Sequence, residues 1–234
     1  MIDQEVIDDQ DYDSHLCAAL VTHSNFTGGI ILDIGGSLGY FCHNILKYYP
    51  ESRVVSIEPC ISNFEFLTKN VKDLNVIPIH GAVTNGQDKI MFYENYNPNQ
   101  GVIFMSNYIE HWKETISDSY IVQGYDFRKI LNVFRPNLIK IDIEGYEYFL
   151  DYSDLPNSVN TIIMEVHMTD IEGDNTEVLN AIDNDLEVYS EITHTLKSQG
   201  FEYIKPPEVN FPWDGTWDGS NRTHIVCLTR LRRG

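Results

Sequence analysis

The sequence has few basic residues for its length, and its cysteines do not occur in motif pairs. It contains 16 Lys and Arg against 35 Asp and Glu in 234 residues, which gives a formal net charge of −19. A protein of this sign repels phosphate, so nucleic acid is an unfavourable partner. The four cysteines include no C-x-x-C pair. This argues against a disulfide framework or a zinc site and favours a reducing, cytoplasmic location.

The sequence also lacks any apolar run of the roughly 20 residues that a membrane-spanning helix needs. Its first residues are acidic and do not have the pattern of a secretory signal. Apolar residues make up 42% of the chain, which is enough for a sizeable core. We therefore expect a soluble intracellular protein, with residues 1–27 as a lead-in with a helix and residues 28–234 as one domain.

Short apolar runs alternate with helical patterns along most of the chain. Predicted strands cover residues 30–34, 53–57, 76–83, 89–93, 138–143, 161–166, 201–204 and 224–228. Predicted helices cover residues 40–49, 61–73, 126–134 and 177–198, and residues 94–119 are expected to be irregular. Continuous apolar strands between helices are typical of a parallel sheet that is buried on both faces. The pattern predicts an α/β fold with a mostly parallel, doubly wound sheet and a closing antiparallel C-terminal strand.

The strongest local motif joins the first predicted strand to the following helix and reads Asp33-Ile34-Gly35-Gly36-Ser37-Leu38-Gly39. Glycines at such a turn let the backbone approach a ligand closely and adopt positive φ. An acid directly before the glycines is unfavourable for a pyrophosphate and suits a ligand that carries an ammonium or sulfonium group. An ordinary strand–helix turn is the alternative interpretation.

Acidic residues also stand at the ends of two further predicted strands. Glu58 ends the second strand and precedes Pro59, and a carboxylate in this place can accept both hydrogens of a ribose diol. Asp142 closes the strand that begins at residue 138. Because the carboxyl ends of parallel strands meet at one edge, Asp33, Glu58 and Asp142 should border one crevice. Solvated strand-end acids are the alternative.

Together these motifs resemble the FkbM family of S-adenosylmethionine-dependent methyltransferases, which have the Rossmann-like class I fold. The resemblance is carried by Asp33-x-Gly35-x-x-x-Gly39, Glu58, Lys140-x-Asp142-x-Glu144-Gly145-x-Glu147 and Met164-Glu165-Val166-His167. The string that begins at Lys140 is the most particular of these, since the glycine motif is shared by all class I methyltransferases. The family usually has Gly-Ala-Asn where this chain has Gly35-Gly36-Ser37.

The resemblance implies a binding site for S-adenosylmethionine. The implied cofactor-binding residues are Asp33, Gly35, Gly36, Ser37, Gly39, Glu58, Pro59, Ala82, Val83 and Asp142. Among them, the segment from Asp33 to Gly39 would hold the methionine end and Glu58 the ribose hydroxyls. Ala82 and Val83 would border the adenine, and Asp142 would face the methyl group.

Methyl transfer to a hydroxyl also needs a group that takes the hydroxyl proton. The candidate bases are Asp142, Glu144 and His167, with Lys140 as an electrostatic partner. Histidine is the natural base near neutral pH, although a structural strand-end histidine is an equally open interpretation of His167. We expect Glu147 to be an acid at a helix start that complements the helix dipole.

The sequence does not require a metal. Asp142, Glu165 and Asp170 could offer oxygen ligands to Mg²⁺, but nothing in their spacing demands an ion, and we predict no metal site. The aromatic segment 205–223 is either a stacking wall for an acceptor or a hydrophobic cap on the sheet.

The function that the resemblance implies is O-methylation of a hydroxyl on a sugar, a glycan precursor or a related small molecule. The alternative within enzymes is an RNA or protein methyltransferase, and the net charge of −19 counts against RNA. The alternative from another class is a catalytically silent module that binds the cofactor and serves as a partner subunit. The sequence does not indicate an oligomeric state.

Overall fold

A computed structural model describes residues 17–95, 101–103, 116–167, 191–204 and 223–231. The strands are β1 (Ile30–Ile34), β2 (Arg53–Glu58), β3 (Val76–His80), β4 (Ala82–Thr84), β5 (Lys89–Asn95), β6 (Gly101–Ile103), β7 (Ile116–Asp126), β8 (Leu138–Ile141), β9 (Thr161–His167), β10 (Phe201–Tyr203) and β11 (Thr223–Arg230). The helices are α1 (Tyr40–Tyr48), α2 (Ile61–Asn70) and α3 (Phe127–Phe134), with a 3₁₀ turn at Glu147–Phe149. Residues 17–21 and 191–198 are also helical.

The larger sheet has seven strands in the order β10-β11-β9-β8-β1-β2-β3. The strands from β9 to β3 run parallel to one another, whereas β11 is antiparallel to β9. The chain leaves β1 toward β2 and β3 on one side and returns to β8 and β9 on the other. Such a switch point leaves a crevice at the carboxyl ends of the strands, where α/β proteins bind ligands. The predicted fold class is confirmed, including the closing antiparallel strand.

Both faces of the central strands are buried, which explains their unbroken apolar sequences. Leu32 of β1 lies in one apolar cluster with Val55 of β2, and Ile31 lies in a second cluster with Val54. Because successive residues of a strand point to opposite faces, the two clusters cover the two sides of the sheet. This double burial fixes the strand ends that carry the polar residues discussed below.

A second sheet, with the order β4-β7-β5-β6, is not predicted by the sequence pattern. The predicted single strand over 76–83 is wrong, because the chain breaks at Gly81 and changes sheets there. Gly81 has a φ of +147°, and a Cβ at this residue would lie 2.5 Å from the Gln123 carbonyl oxygen. Only glycine can adopt this backbone conformation so close to the Gln123 carbonyl. The predicted irregularity of 94–119 is also wrong for its described residues, which belong to β5, β6 and β7.

The remaining predicted elements are found with small changes at their ends. β8 ends at Ile141, two residues earlier than predicted, and α2 ends at Asn70. Of the predicted helix over 177–198, the described part (191–198) is helical, and the rest lies outside the described residues. Asp170 and most of the aromatic segment 205–223 also lie outside them. None of the helices in the described part of the chain is long and apolar enough to cross a membrane.

Candidate active site

The glycine loop after β1 packs directly against the ends of its two neighbouring strands. The backbone N–H groups of Gly35 and Gly36 both donate to the carbonyl oxygen of Ile57, each at 3.0 Å. Gly35 has a φ of +82°, and a Cβ on it would collide with the Asp142 carbonyl oxygen. A Cβ on Gly36 would collide with the Ser56 hydroxyl. These glycines are therefore required for the close approach of three strand ends to one another.

Glu58, at the end of β2, holds the glycine loop in place. Its Oε2 accepts the Ser37 backbone N–H at 2.8 Å, and its Oε1 accepts the Cys60 backbone N–H at 2.8 Å. Ser37 itself has a left-handed backbone, with a φ of +46°. Burial of the carboxyl group raises the pKa of Glu58 to about 7, despite these two donors. The structure thus fixes one carboxylate at the predicted ribose-binding position.

Asp33 lies beneath the glycine loop and is fully buried. Its Oδ2 accepts hydrogen bonds from the Ser56 hydroxyl at 2.7 Å and from the Cys42 thiol at 3.4 Å. Its Oδ1 lies 3.8 Å from Lys140 Nζ and has no hydrogen-bond partner among the described residues. Burial raises the pKa of Asp33, and the nearby Lys140 ammonium opposes that shift. The charge of Asp33 therefore acts on Lys140, whose ammonium also contacts the glycine loop.

Lys140 ties the glycine loop to the end of β8. Its Nζ donates to the Gly35 carbonyl oxygen at 3.0 Å and to Asp142 Oδ2 at 2.9 Å. Burial acts against the charged form, but the carboxylates of Asp142 and Asp33 raise the pKa of Lys140 above its ordinary value. The ammonium therefore stays protonated and keeps one oxygen of Asp142 fixed.

His167, the last residue of β9, stands at the centre of a group of four carboxylates. Its Nε2 lies 3.4 Å from Glu144 Oε2 and 3.9 Å from both Asp142 Oδ1 and Glu165 Oε1. Its Nδ1 lies 3.1 Å from Glu147 Oε1. Burial opposes the charged ring, but these carboxylates, Glu147 first, raise the pKa of His167 well above its ordinary value. We call His167 and these four acids the His167 cluster.

Glu147 has a different role from the one predicted. It begins the 3₁₀ turn, as expected of an acid at a helix start, but it is fully buried and binds His167. Its Oε1 accepts both the His167 backbone N–H, at 2.7 Å, and the ring Nδ1–H, and its Oε2 accepts the Gly145 N–H at 2.9 Å. The dipole interpretation missed this contact because the partner is 20 residues away, on the neighbouring strand. No local sequence signal reports it.

The turn between Asp142 and Glu147 has a strained backbone. Glu144 has a φ of +53° and Gly145 a φ of +89°, so two consecutive residues are left-handed. A left-handed residue with a side chain costs roughly 1–2 kcal/mol. This turn brings Asp142 and Glu144 to the same side of His167. Burial and the neighbouring carboxylates outweigh the His167 charge and raise the pKa of Glu144 to about 7.

Of the predicted cofactor residues outside these groups, Pro59, Ala82 and Val83 lie beside the end of β2. The Pro59 carbonyl oxygen accepts a hydrogen bond from His80 Nε2 at 3.1 Å. Gly39, with a φ of +90°, precedes α1. Ala82 and Val83 are buried in β4, directly after Gly81, whose N–H donates to the Glu58 carbonyl oxygen at 3.0 Å. The structure therefore brings the predicted residues together along one carboxyl edge, with the Glu58 group on one side of Gly35 and the His167 cluster on the other.

Comparisons with known proteins identify the family of this chain. The family model described as the Methyltransferase FkbM domain matches residues 33–203, which include both groups. A curated protein named Methyltransferase 1, from Beauveria bassiana (strain ARSEF 2860), is 22% identical over 160 residues. That match covers 66% of this chain and 59% of the relative, so the chain spans less than two thirds of the relative's length.

Two solved methyltransferase structures are similar to this chain at low identity. The precorrin-6y C5,15-methyltransferase from Geobacter metallireducens has a TM-score of 0.45 and 11% identity, over 99% of this chain and 90% of that one. Aeropyrum pernix fibrillarin, solved with natively bound S-adenosyl-L-methionine, has a TM-score of 0.43 and 14% identity, over 94% and 76% of the two chains. We base the fold class on the strand order and the family on the domain match. The chain belongs to the FkbM methyltransferase domain family.

Proposed function

We propose that this protein is an S-adenosylmethionine-dependent O-methyltransferase that acts on a hydroxyl of a sugar, a glycan precursor or a related small molecule. The observation that carries the proposal is the placement of Glu58 and the His167 cluster on either side of the glycine loop, at one carboxyl edge. Glu58 suits the binding of a nucleoside, and the His167 cluster suits proton removal. Membership of the family supports the same assignment.

The donor set at the ends of β1 and β2 fits this cofactor. A cofactor with a sulfonium and an ammonium group is attracted by acids, and Asp33 has a buried carboxylate oxygen without a hydrogen-bond partner among the described residues. The left-handed loop from Gly35 to Gly39 would hold the methionine end, through Gly36 and Ser37. The Glu58 carboxylate would accept hydrogen bonds from the ribose hydroxyls.

The adenine would lie beyond the ribose, past the end of β2. Pro59 directly follows Glu58, and Ala82 and Val83 follow Gly81, which is hydrogen-bonded to the Glu58 backbone. These residues lie next to the proposed ribose-binding carboxylate, and the side chains of Ala82 and Val83 pack into the core behind it. We propose that they border the base, as the family resemblance implies.

The cofactor would supply an activated methyl group, whose bonding electron pair stays with sulfur while an acceptor oxygen forms the new O–C bond. The residues of this chain then have two tasks, which are to align the hydroxyl and to remove its proton. His167 Nε2 lies 3.9 Å from Asp142 Oδ1 and 3.4 Å from Glu144 Oε2. We propose that this cluster takes the proton and that Lys140 holds Asp142 in position.

The proposal is tested by two measurements on the same protein. Calorimetry should show one bound S-adenosylmethionine per chain. Methyl transfer should then be followed by mass spectrometry with sugars, nucleotides and RNA as acceptors, and a sugar or small-molecule hydroxyl is the expected acceptor. Binding without transfer to any acceptor would favour the silent-subunit alternative, and transfer to RNA alone would contradict the proposed acceptor. Absence of binding would contradict the whole assignment.

A further inference from the structure

We infer that Asp142, Glu165 and His167 bind one divalent metal ion at the carboxyl edge. The inference relies on the proposed function for the place of the acceptor hydroxyl, but not for the ligand set. The nearest carboxylate oxygens and ring nitrogen of these three residues all lie within 4.8 Å of one another. Asp170 lies outside the described residues, and among those described His167 is the third group beside Asp142 and Glu165.

The fold places the three ligands with little freedom. Asp142 directly follows β8, and Glu165 and His167 are two residues apart on the adjacent strand β9, so their side chains point to the same face. His167 Nε2 lies 3.9 Å from both Asp142 Oδ1 and Glu165 Oε1. Ligands of one ion at about 2.1 Å stand roughly 3.0–3.5 Å apart. Small side-chain rotations toward an ion are enough to close the difference.

Two of the three ligands are oriented by buried neighbours, as metal ligands usually are. The ring Nδ1 of His167 lies 3.1 Å from Glu147 Oε1, which sets the ring so that Nε2 points toward the other carboxylates. A carboxylate behind a ligating histidine is the common partner that fixes its tautomer and orientation. Lys140 Nζ holds Asp142 Oδ2 at 2.9 Å, which leaves Oδ1 on the side of His167.

The charge of the cluster also favours a cation. Four carboxylates surround His167. Lys140 contributes a positive charge beside Asp142, but its ammonium group also lies near Asp33. Buried like charges repel one another strongly unless a cation lies between them. A protonated His167 ring already offsets part of this repulsion, and a divalent ion at the common point of Asp142, Glu165 and His167 would take over that role with the ring as a neutral ligand.

The ligand chemistry indicates which ions fit. Imidazole suits Zn²⁺, Fe²⁺ and similar ions, whereas carboxylates suit Mg²⁺ and Mn²⁺, so two carboxylates with one imidazole favour Mn²⁺ or another first-row ion over Mg²⁺. The ion would polarise the acceptor hydroxyl as a Lewis acid. His167 would then act as a ligand. Glu144, whose Oε2 lies 3.4 Å from the ring, would take the proton that leaves the hydroxyl as its oxygen bonds the methyl group.

The experiment uses the whole protein after removal of metals by dialysis against a chelator. Mn²⁺ is titrated by electron paramagnetic resonance and calorimetry, with Mg²⁺ and Zn²⁺ as comparators. One Mn²⁺ per chain is expected, with at least tenfold weaker binding in Glu165→Gln. The matched control is Glu202→Gln, which changes an exposed acid of the same sheet and should leave Mn²⁺ binding unchanged.

Two outcomes would overturn the inference. The first is that the folded wild-type protein binds none of the three ions. The second is that Glu165→Gln and Glu202→Gln bind Mn²⁺ equally well while both keep the thermal unfolding midpoint of the wild type. Calorimetry with S-adenosylmethionine on the metal-free protein is run beside these titrations. Retained cofactor binding without metal binding would reject the metal site alone, and loss of cofactor binding would reject the proposed function.

Discussion

The two sides of the glycine loop are built in different ways, although both present acids at the same sheet edge. On the β2 side, Glu58 is held by two backbone N–H groups, from Ser37 and Cys60. On the β9 side, His167 is surrounded by the side chains of four acids. Backbone donors fix a carboxylate rigidly, whereas clustered titratable side chains are typical of sites that do chemistry. From this difference we propose that the β2 side recognises the cofactor and that the β9 side carries out transfer.

Among the described residues, the Lys140 side chain joins the two sides. Lys140 contacts Gly35 of the loop and Asp142 of the cluster, so its ammonium belongs to both. Substitutions that avoid Lys140 should therefore separate binding from transfer.

Removal of the His167 ring should have the largest effect. We expect His167→Ala to lower single-turnover methyl transfer by about 10²–10⁴-fold, because the group that organises proton removal is lost. Cofactor affinity, measured by calorimetry, should change less than about twofold, since a residue acting in transfer leaves binding nearly intact. His43→Ala, in α1, is the matched control and should keep full turnover. Full turnover of His167→Ala from pH 6 to 9 would make the histidine structural.

Glu147→Gln tests the buried partner of His167 with a smaller change in shape. The variant keeps an acceptor oxygen but loses the charge behind Nδ1, so we expect turnover to fall about 10–100-fold. Binding of Mn²⁺ should weaken in parallel, and cofactor affinity should be retained. If turnover falls while the affinity for Mn²⁺ and the pH profile of the remaining activity are unchanged, Glu147 only supports the fold.

Glu58→Gln should affect the other side of the loop. A hydrogen bond to a charged group contributes about 1.5–3 kcal/mol and one to a neutral group about 1 kcal/mol. The difference is about 0.5–2 kcal/mol for each of the two ribose hydroxyls, so we expect cofactor affinity to fall at least about fivefold, while turnover at saturating cofactor stays within a few-fold of the wild type. Calorimetry and saturation kinetics measure the two quantities separately. Unchanged affinity would remove the ribose assignment from Glu58.

The smallest effect is a pH dependence of cofactor binding that arises from Glu58. Burial raises its pKa to about 7, so the carboxyl group is partly protonated at neutral pH. Ribose hydroxyls donate to the ionised form, so binding lowers this pKa and releases a proton. Affinity should consequently rise with pH below about 7 and level off above it. Glu58→Gln should abolish the rise in affinity below about pH 7. An identical pH profile in the wild type and the variant would contradict the assignment of this rise to Glu58.

Much of the geometry on the β2 side of the loop was predictable from sequence because its signals are local. The run from Ile30 to Ile34, the acid Asp33 and the glycines after it follow one another directly, and the buried parallel strand leaves a continuous apolar pattern. Glu58 stands at the end of the next such strand. The family resemblance then supplied roles that the spacing alone leaves open.

The parts of the fold and of the site that the sequence does not predict depend on contacts between residues far apart in the chain. β7 pairs with β5 across more than twenty residues and carries several exposed polar side chains, so neither a tight turn nor an apolar run indicates it. Glu147 is 20 residues from His167 in sequence, and the contact exists only because β8 and β9 are neighbours. The strand breaks at Gly81 because the Gln123 carbonyl packs against it. Gln123 is more than forty residues away in sequence, so no local pattern indicates this contact.

Calorimetry with S-adenosylmethionine on the wild type, Glu58→Gln and His167→Ala compares the two sides of the loop in one experiment. In our proposal the β2 side recognises the cofactor and the β9 side carries out transfer. The wild type should bind one cofactor per chain, Glu58→Gln should bind it at least fivefold more weakly, and His167→Ala should bind it as the wild type does. Absence of binding by the folded wild type, or equal losses in the two variants, would contradict this proposal.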